Sequence, residues 1–476
     1  MKTLAINSKL ITKGHFRLDG GFYLNIHSFL SLYLEANEGR CVKLEEIADV
    51  MNPPVFKRQF CSIKGNAVEY FQSSDVSLAS NNSEVYIYRP QAEKIGAIVH
   101  EGNILVTGFG SIGNVRLVSK SQNNVCYANN VARIFPKGSV KTGFLYAFLM
   151  SKFGNAQLNK NASGSVVRYI EAPGIRKTLI PNLPETLQKK IDDFIQNAST
   201  LREEAAEILT KARKILKEKV HLRDLSPDDY DYFGPHPYYR EVSCFVRKRK
   251  DIDTTTINAF NHSERIRNIK TLLKCNTKPL YEILLGGKTF STGSFPRVET
   301  KKGYGVMLIN QSDIFDTVIK GKYISKRNVN LSNLVEYGEV LIAGVGTLGE
   351  NETFCRTIFA NEDLVGQLVS GEFIRMKTTE EVPSGYLFAW LSSDYGFRLL
   401  RNTQTGTKLC RPIPSLVLQI PVPILDFKDM YEIDEMVRDA HTKQHIANNN
   451  EKEAISMIEC EIENWNKENN KHDIGL

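Results

Sequence analysis

The feature that most constrains this chain is that it repeats itself. Leu44, Glu46 and Ile47 recur as Leu280, Glu282 and Ile283, an offset of 236. At nearly the same offset Ser74-Asp75-Val76 returns as Ser312-Asp313-Ile314, and Gly102-Asn103-Ile104-Leu105-Val106 as Gly338-Glu339-Val340-Leu341-Ile342. Gly108, Gly110 and Gly113 fall on Gly344, Gly346 and Gly349. After a small insertion the offset becomes 242, and Gly143-Phe144-Leu145-Tyr146-Ala147-Phe148-Leu149 matches Gly385-Tyr386-Leu387-Phe388-Ala389-Trp390-Leu391, followed by Gly164 on Gly406 and Pro181 on Pro423. So many matches in order mark a duplicated unit, and a duplicated unit must bury its core twice in the same way.

Each copy carries short runs of Val, Ile, Leu and Tyr bounded by Gly, Asn and Pro, the pattern of strands and turns. Residues 144–153 and 386–395 read instead as a buried amphipathic helix. The expected fold is α+β, two tandem mixed-β domains each followed by a long helix. Interior glycines and prolines argue against a regular parallel sheet.

The long helices announce themselves by apolar spacing. Leu187, Ile191, Phe194, Ala198, Leu201, Ala205, Ile208, Ala212 and Ile215 alternate steps of four and three, a coiled-coil seam of about four heptads. Pro184 and Glu185 suit a helix start, and Lys211, Arg213, Lys214, Lys217 and Lys219 suit the negative end of its dipole. The second copy repeats the seam as Ile433, Met436, Ala440, Ala447, Ala454 and Met457, with polar Lys443 and Asn450 at two seam positions. Two such helices related by a pseudo-two-fold are expected to pair antiparallel, and a helix of about 36 residues spans roughly 54 Å. The expected order is a first domain over 1–183, a spacer helix over 184–220, a connector over 221–262, a second domain over 263–425, a second helix over 426–466 and a polar tail over 467–476. The connector carries the basic run Arg247-Lys248-Arg249-Lys250, read as a solvated segment rather than a binding site.

Composition excludes several classes. Lys and Arg exceed Asp and Glu by 61 to 54, a formal charge of +7 that permits a polyanionic partner without requiring one. Cys41, Cys61, Cys126, Cys244, Cys275, Cys355, Cys410 and Cys460 show no zinc-knuckle or redox-pair spacing, so reduced thiols, no bound metal and a cytoplasmic location are expected. The sequence has no apolar signal core and no stretch of the ~18 to 20 apolar residues that a membrane span needs.

Three motifs carry less than they promise. Gly108-Phe109-Gly110-Ser111-Ile112-Gly113 and Gly344-Val345-Gly346-Thr347-Leu348-Gly349 spell the dinucleotide fingerprint, but strand-like residues follow where a helix is needed to meet a pyrophosphate. The glycines read better as sharp hairpin turns that approach a ligand closely. Asn52-Pro53-Pro54 matches the start of an amino-methyltransferase tetrapeptide, but Val55 stands at its aromatic position and no adenosylmethionine loop precedes it. His441 and His445 stand four apart on the second long helix, with Thr442 where a zinc protease needs glutamate, and read as a solvated helix face.

The ordered set formed by Val68 to Val76, Gly102 to Gly113, Ser163-Gly164-Ser165, Ile180 to Gln188 and the helix that follows, repeated at half-chain distance, resembles the specificity subunit of type I restriction-modification systems. The resemblance covers nearly the whole chain. The second copy departs at Ile420-Pro421-Val422-Pro423-Ile424, which lacks the glutamine that usually follows, and the Leu18 to Tyr23 segment has only a faint counterpart near Asp253. The resemblance implies two target-recognition domains that each read half of a bipartite double-stranded DNA site. It implies two modification (methyltransferase) subunits docked on the helices and restriction (motor-nuclease) subunits joining them. This chain would then be non-catalytic and bind no cofactor, with adenosylmethionine, ATP and magnesium in the partners.

DNA reading needs cations for phosphates and polar or arginine side chains for base edges. The candidates are Lys57, Arg58, Lys64, Gln72, Ser73, Phe109, Ser111, Arg116, Ser163, Ser165 and Arg168 in the first copy. In the second they are Lys288, Arg297, Lys301, Lys302, Asn310, Gln311, Thr347, Gln404, Thr405, Thr407, Lys408 and Arg411. Asp75 and Asp313 are expected to order turns instead. Shortening both helices by one heptad, about 10 Å, is expected to change the spacing between half-sites and leave the half-sites intact. Two other readings stand beside this one, a coiled-coil adaptor that binds no nucleic acid and a self-contained DNA methyltransferase.

Overall fold

Cys41–Lys43 pairs antiparallel with Leu179–Pro181, and Thr277–Pro279 pairs in the same way with Pro421–Pro423, so each copy closes its own ends before its long helix begins. These relationships come from a computed structural model. It describes residues 8–13, 23–61, 66–79, 85–162, 168–226, 245–252, 255–349 and 352–469, with the single positions Ile6, Leu18, Ser83 and Asp229. The chain divides into two compact units, Met1–Glu203 with Ile446–Leu476, and Glu204–His445. The division falls inside the long helices, not at the sequence-based domain ends, because each helix half shares a core with a different set of strands.

In the first unit an antiparallel sheet runs in the order Ala48–Met51, Val131–Pro136, Ile104–Thr107, Val115–Leu117. Alternate side chains leave a strand on opposite faces. Ile104 and Val106 accordingly enter the core with Phe144, Phe148 and Ile191, while Leu105 enters a second core with Phe71, Val99, Val118 and Tyr127. That second core is roofed by a mixed sheet ordered Tyr86–Tyr88, Ala67–Phe71, Val125–Tyr127, Ile98–Val99, in which Ala67–Phe71 and Val125–Tyr127 run parallel.

The second unit repeats this layering. Thr357–Phe359, Val340–Ala343 and Phe373–Met376 form the antiparallel sheet, with Val340 and Ile342 facing the core of Tyr386 and Trp390. Leu341 faces Ile309, Ile314 and Val369. Gly305–Ile309 again runs parallel to Leu368–Val369.

The helix expected over 144–153 is two helices, Thr142–Met150 and Lys152–Lys160, and its counterpart is Ser384–Leu391 and Asp394–Asn402. Neither first helix is amphipathic. Gly143 to Leu149 and Gly385 to Leu391 are buried at every position, because sheet and long helix cover opposite sides. Ser151 and Ser393 make the breaks, each accepting at Oγ the amide of the glycine three residues on, Gly154 at 3.2 Å and Gly396 at 3.1 Å. A Cβ on either glycine would stand about 2 Å from the carbonyl oxygen of Phe148 or Trp390, so the close turn requires glycine.

The long helices span Glu185–Lys219 and Phe427–Asn469. Their buried lines differ from the sequence reading by one strip. Ile191, Ala198, Ala205 and Ala212 are buried as expected, but the second buried line is Ile195, Leu209 and Leu216, while Phe194, Leu201, Ile208 and Ile215 lie half-buried at the flank, as does Leu187. On the second helix Ile433, Ala440, Ala447 and Ala454 are buried together with Val437, Ile458 and Ile462, and Met436 and Met457 are flanking. The apolar face is therefore wider than a two-position seam, since each helix half covers a domain as well as a neighbouring helix.

Within the second unit Glu204 pairs with Lys443 at 3.0 Å and Lys219 with Asp429 at 2.9 Å, so numbers rise along one helix as they fall along the other. Within the first unit Asn197 Oδ1 accepts from Asn450 Nδ2 at 2.9 Å, and Arg202 meets both Asn448 and Glu451. The two polar seam positions, Lys443 and Asn450, are thus both engaged.

Candidate nucleic-acid interface

Each GxGxxG segment is a turn between strands. Ile104–Thr107 and Val115–Leu117 are antiparallel neighbours, and Thr107 Oγ1 accepts the Asn114 amide at 3.1 Å across the turn. Gly110 and Gly113 have φ of +74° and +83°, which a side chain disfavours. Gly108 is needed for closeness, since a Cβ there would lie 2.6 Å from the Ile170 carbonyl oxygen. The close approach is to backbone, with Ile170 N–H donating to Gly108 O at 2.8 Å and Gly108 N–H to Asn130 O at 2.9 Å.

These bonds seat the turn against the loop after the Lys152–Lys160 helix. Phe109 and Tyr169 form an antiparallel bridge there, their rings stacked at 5.5 Å and 14°. The second unit joins the equivalent pieces at Gly346 and Cys410, with amide-to-carbonyl distances of 3.2 and 2.7 Å in the two directions. Thr347, Thr405, Thr407, Lys408 and Arg411 are exposed around that junction, as Phe109, Ser111 and Arg168 are around the first. Lys64, Ser163 and Ser165 lie outside the described residues.

Other candidates sit elsewhere. Lys57, Arg58 and Gln72 are exposed, with the Arg58 guanidinium 5.5 Å from the Tyr70 ring centre. Half-buried Ser73 accepts at Oγ from Asn130 Nδ2 at 3.1 Å. Lys288, Arg297, Lys301 and Lys302 are exposed, and half-buried Asn310 donates to Asp313 Oδ2 at 2.9 Å.

Three candidates are interior and are corrected. Arg116 is 8% exposed, its Nε on Gln122 Oε1 at 2.8 Å and its Nη1 on the Val76 and Leu78 carbonyls at 3.1 and 2.6 Å. It staples the Ser73–Val76 turn to the sheet. Gln311 clamps the backbone of Val345, accepting its N–H at 3.0 Å and donating to its carbonyl. Gln404 is 3% exposed in a two-stranded ladder with Arg411–Pro412, its carbonyl taking Asn261 Nδ2 at 2.9 Å. The Arg116 and Gln311 side chains are thus engaged inside the domain, and the Gln404 side chain is buried.

Asp75 orders its turn as expected, accepting the Gln72 amide at 2.7 Å. Burial pushes its carboxyl up, and the Gln72 and Ser74 donors oppose that shift. Asn52 is also structural, with its Oδ1 on Ala172 N–H at 2.9 Å and its Nδ2 on Asn129 O at 3.3 Å. His441 is not solvated: it stacks on Phe359 at 5.0 Å and meets Phe388 edge-on at 5.2 Å, while His445 bonds Asp363 at 2.9 Å. Burial, helped by the Arg213 charge, lowers the His441 pKa to about 3. In the basic run, Arg247 is drawn onto Glu264 and the His262 carbonyl. Among the described residues no cluster of three or more His, Cys, Asp or Glu side chains forms a metal site, and no helix is long and apolar enough to cross a membrane.

Tyr169 was not a sequence candidate, and neither was the charge pattern around it. From Gly102 to Ile170 the chain contains no Asp or Glu and has eight Lys or Arg, where average composition gives about eight acids. From Tyr395 to Leu425 it is again free of acids, with Arg398, Arg401, Lys408 and Arg411. Both stretches include the loop that meets the glycine turn.

No family model and no curated protein matches the chain. Solved structures do. The chain is similar to S subunits of type I restriction-modification systems. The S subunit from M. genitalium aligns over 88% of this chain and 93% of its own at 13% identity, with a TM-score of 0.33. The HsdS subunit from Thermoanaerobacter tengcongensis aligns over 89% and 95% at 12% identity, TM-score 0.25. A chain from a study of complex assembly and conformational transition of the type I system aligns over 89% and 96% at 15% identity, TM-score 0.26.

Proposed function

We propose that this chain is a sequence-specific DNA-binding specificity subunit that reads a bipartite site with two tandem target-recognition domains. The observation that carries this reading is the duplicated junction of glycine turn and cation-bearing loop, Phe109 with Tyr169 in one unit and Gly346 with Cys410 in the other. Both junctions expose hydroxyls and cations on a bonded scaffold, which suits phosphate positioning and base-edge contacts. Their sequence differences, Phe-Gly-Ser against Val-Gly-Thr in the turn, suit two different half-sites.

The long helices pair antiparallel in this reading, supported by the opposed numbering of the Glu204–Lys443 and Lys219–Asp429 pairs. Two modification subunits and the restriction subunits act at the site thus selected, in the cytoplasm. Methyl transfer and cleavage belong to them, with their adenosylmethionine, ATP and magnesium. The motif resemblance supports this division of labour.

Methylome mapping of cells with and without the gene tests the proposal. A bipartite adenine motif should vanish with the gene, and the purified chain should shift a duplex bearing that motif less as salt rises. An unchanged methylome, or a shift indifferent to sequence, would overturn it.

A further inference from the structure

The first unit displays an aromatic pair at its surface: Phe109 and Tyr169 are 40% and 38% exposed while their rings stack on each other. Their backbones are joined by mutual bridging and by Ile170 N–H on Gly108 O, so the two rings project together from a hydrogen-bonded junction. Arg168 is adjacent and exposed, with its Nη2 donating to the Asn159 carbonyl, and the stretch from Gly102 to Ile170 has no carboxylate, the next residue being the exposed Glu171. An apolar edge flanked by a cation complements stacked bases bordered by phosphates.

Resting on the DNA-reading proposal above, we infer that Phe109 and Tyr169 act as a stacking wedge. They press on or between the bases of one half-site and unstack a base step there, while Arg168 holds the neighbouring phosphate. Apolar wedges of this kind kink duplexes at flexible steps and thereby select them without hydrogen-bonding a base. The second unit lacks the device. Val345 stands at the position of Phe109 and is buried, and Arg411 stands at the position of Tyr169. The two half-sites are therefore read differently, one with local unstacking and one without.

The test uses the full chain with whatever subunits co-purify, and duplexes bearing the mapped motif with 2-aminopurine placed singly along both halves. Wild type should raise fluorescence severalfold at a step in one half only, and Phe109→Ala and Tyr169→Ala should lose that rise and bind roughly ten-fold more weakly. Rises that persist in both variants belong to another part of the complex and count against the wedge. Phe109→Tyr and Tyr169→Phe should retain the signal. If Phe109→Ala fails to fold, Tyr169→Ala and Phe109→Asn, each of which removes one ring and its apolar bulk, should show the same loss. Wild-type binding with no variant-sensitive probe overturns the wedge and leaves DNA reading intact, whereas no binding to the mapped motif overturns both.

Discussion

Asp192 Oδ1 accepts the backbone N–H of Gly143 at 2.6 Å, and 242 residues later Asp434 Oδ1 accepts that of Gly385 at 2.7 Å. In each unit a carboxylate on a long helix thereby binds the N-terminus of the buried helix, where amides lack partners and the dipole favours negative charge. Alanine at Gly143 or Gly385 gains about 1 kcal/mol of helix propensity. Its Cβ would stand 2.6 Å from the same carboxylate oxygen. Both variants should lose about 1 to 3 kcal/mol of stability in urea titrations. Asp434→Ala should cost more than Asp192→Ala, because buried Asp434 also holds Arg438 at 2.6 Å.

Glu451 is a buried carboxylate at the position where the first helix has Leu209. It accepts the Tyr146 hydroxyl at 2.7 Å and pairs with Arg202. Removing one partner of a buried pair costs ~3 to 5 kcal/mol, whereas replacing the whole group by apolar residues is often neutral. Glu451→Leu should therefore destabilise strongly, and the triple change Tyr146→Phe, Arg202→Leu, Glu451→Leu should recover most of the loss. A triple variant no better than Glu451→Leu would show that the network contributes net stability.

Burial keeps the folded His441 ring neutral, with its pKa lowered to about 3, while the unfolded ring protonates near 6.5. The unfolded state therefore binds more protons between those values. Stability from this site is complete above about pH 6.5 and falls as pH drops toward 3, by up to ~1.4 kcal/mol per unit. Urea midpoints of wild type should decline from pH 7 to 4.5, and those of His441→Phe should decline less. Parallel curves would mean that the ring titrates as it does in solution.

Cations at the junctions and in the interior should separate cleanly. Arg168→Ala and Lys408→Ala should each reduce the salt dependence of DNA binding by about one unit of slope, with little effect on stability. Arg116→Ala should do the reverse, since its guanidinium bonds Gln122 and two carbonyls inside the domain. A lowered slope in Arg116→Ala at unchanged stability would contradict its interior role.

Much of this was legible in the chain. The repeat anticipates that both copies are α+β, and the apolar spacing anticipates a long helix after each, because glycine, proline and apolar period act locally. The buried strip of Ile195, Leu209 and Leu216 was missed because it shares Ile191, Ala198, Ala205 and Ala212 with the flanking strip, and either set satisfies steps of four and three. Arg116, Gln311 and Gln404 look like surface residues in sequence. Only the folded chain shows that the Arg116 and Gln311 side chains meet backbone groups distant in sequence, and that Gln404 is buried in a ladder, its carbonyl taking the Asn261 side chain. Ser151 was hidden because the apolar run before it and Phe153 after it read as one continuous helix.

Each compact unit contains a piece of the other copy: the first needs Ile446–Leu476 from the end of the chain. Ala454, Ile458, Ile462 and Trp465 are part of its core. Genetic exchange in the connector would therefore replace the second copy and, with it, a helix that the first unit's core contains. If the two copies read DNA as proposed, half-sites could be recombined only among genes whose terminal helices present the same apolar face.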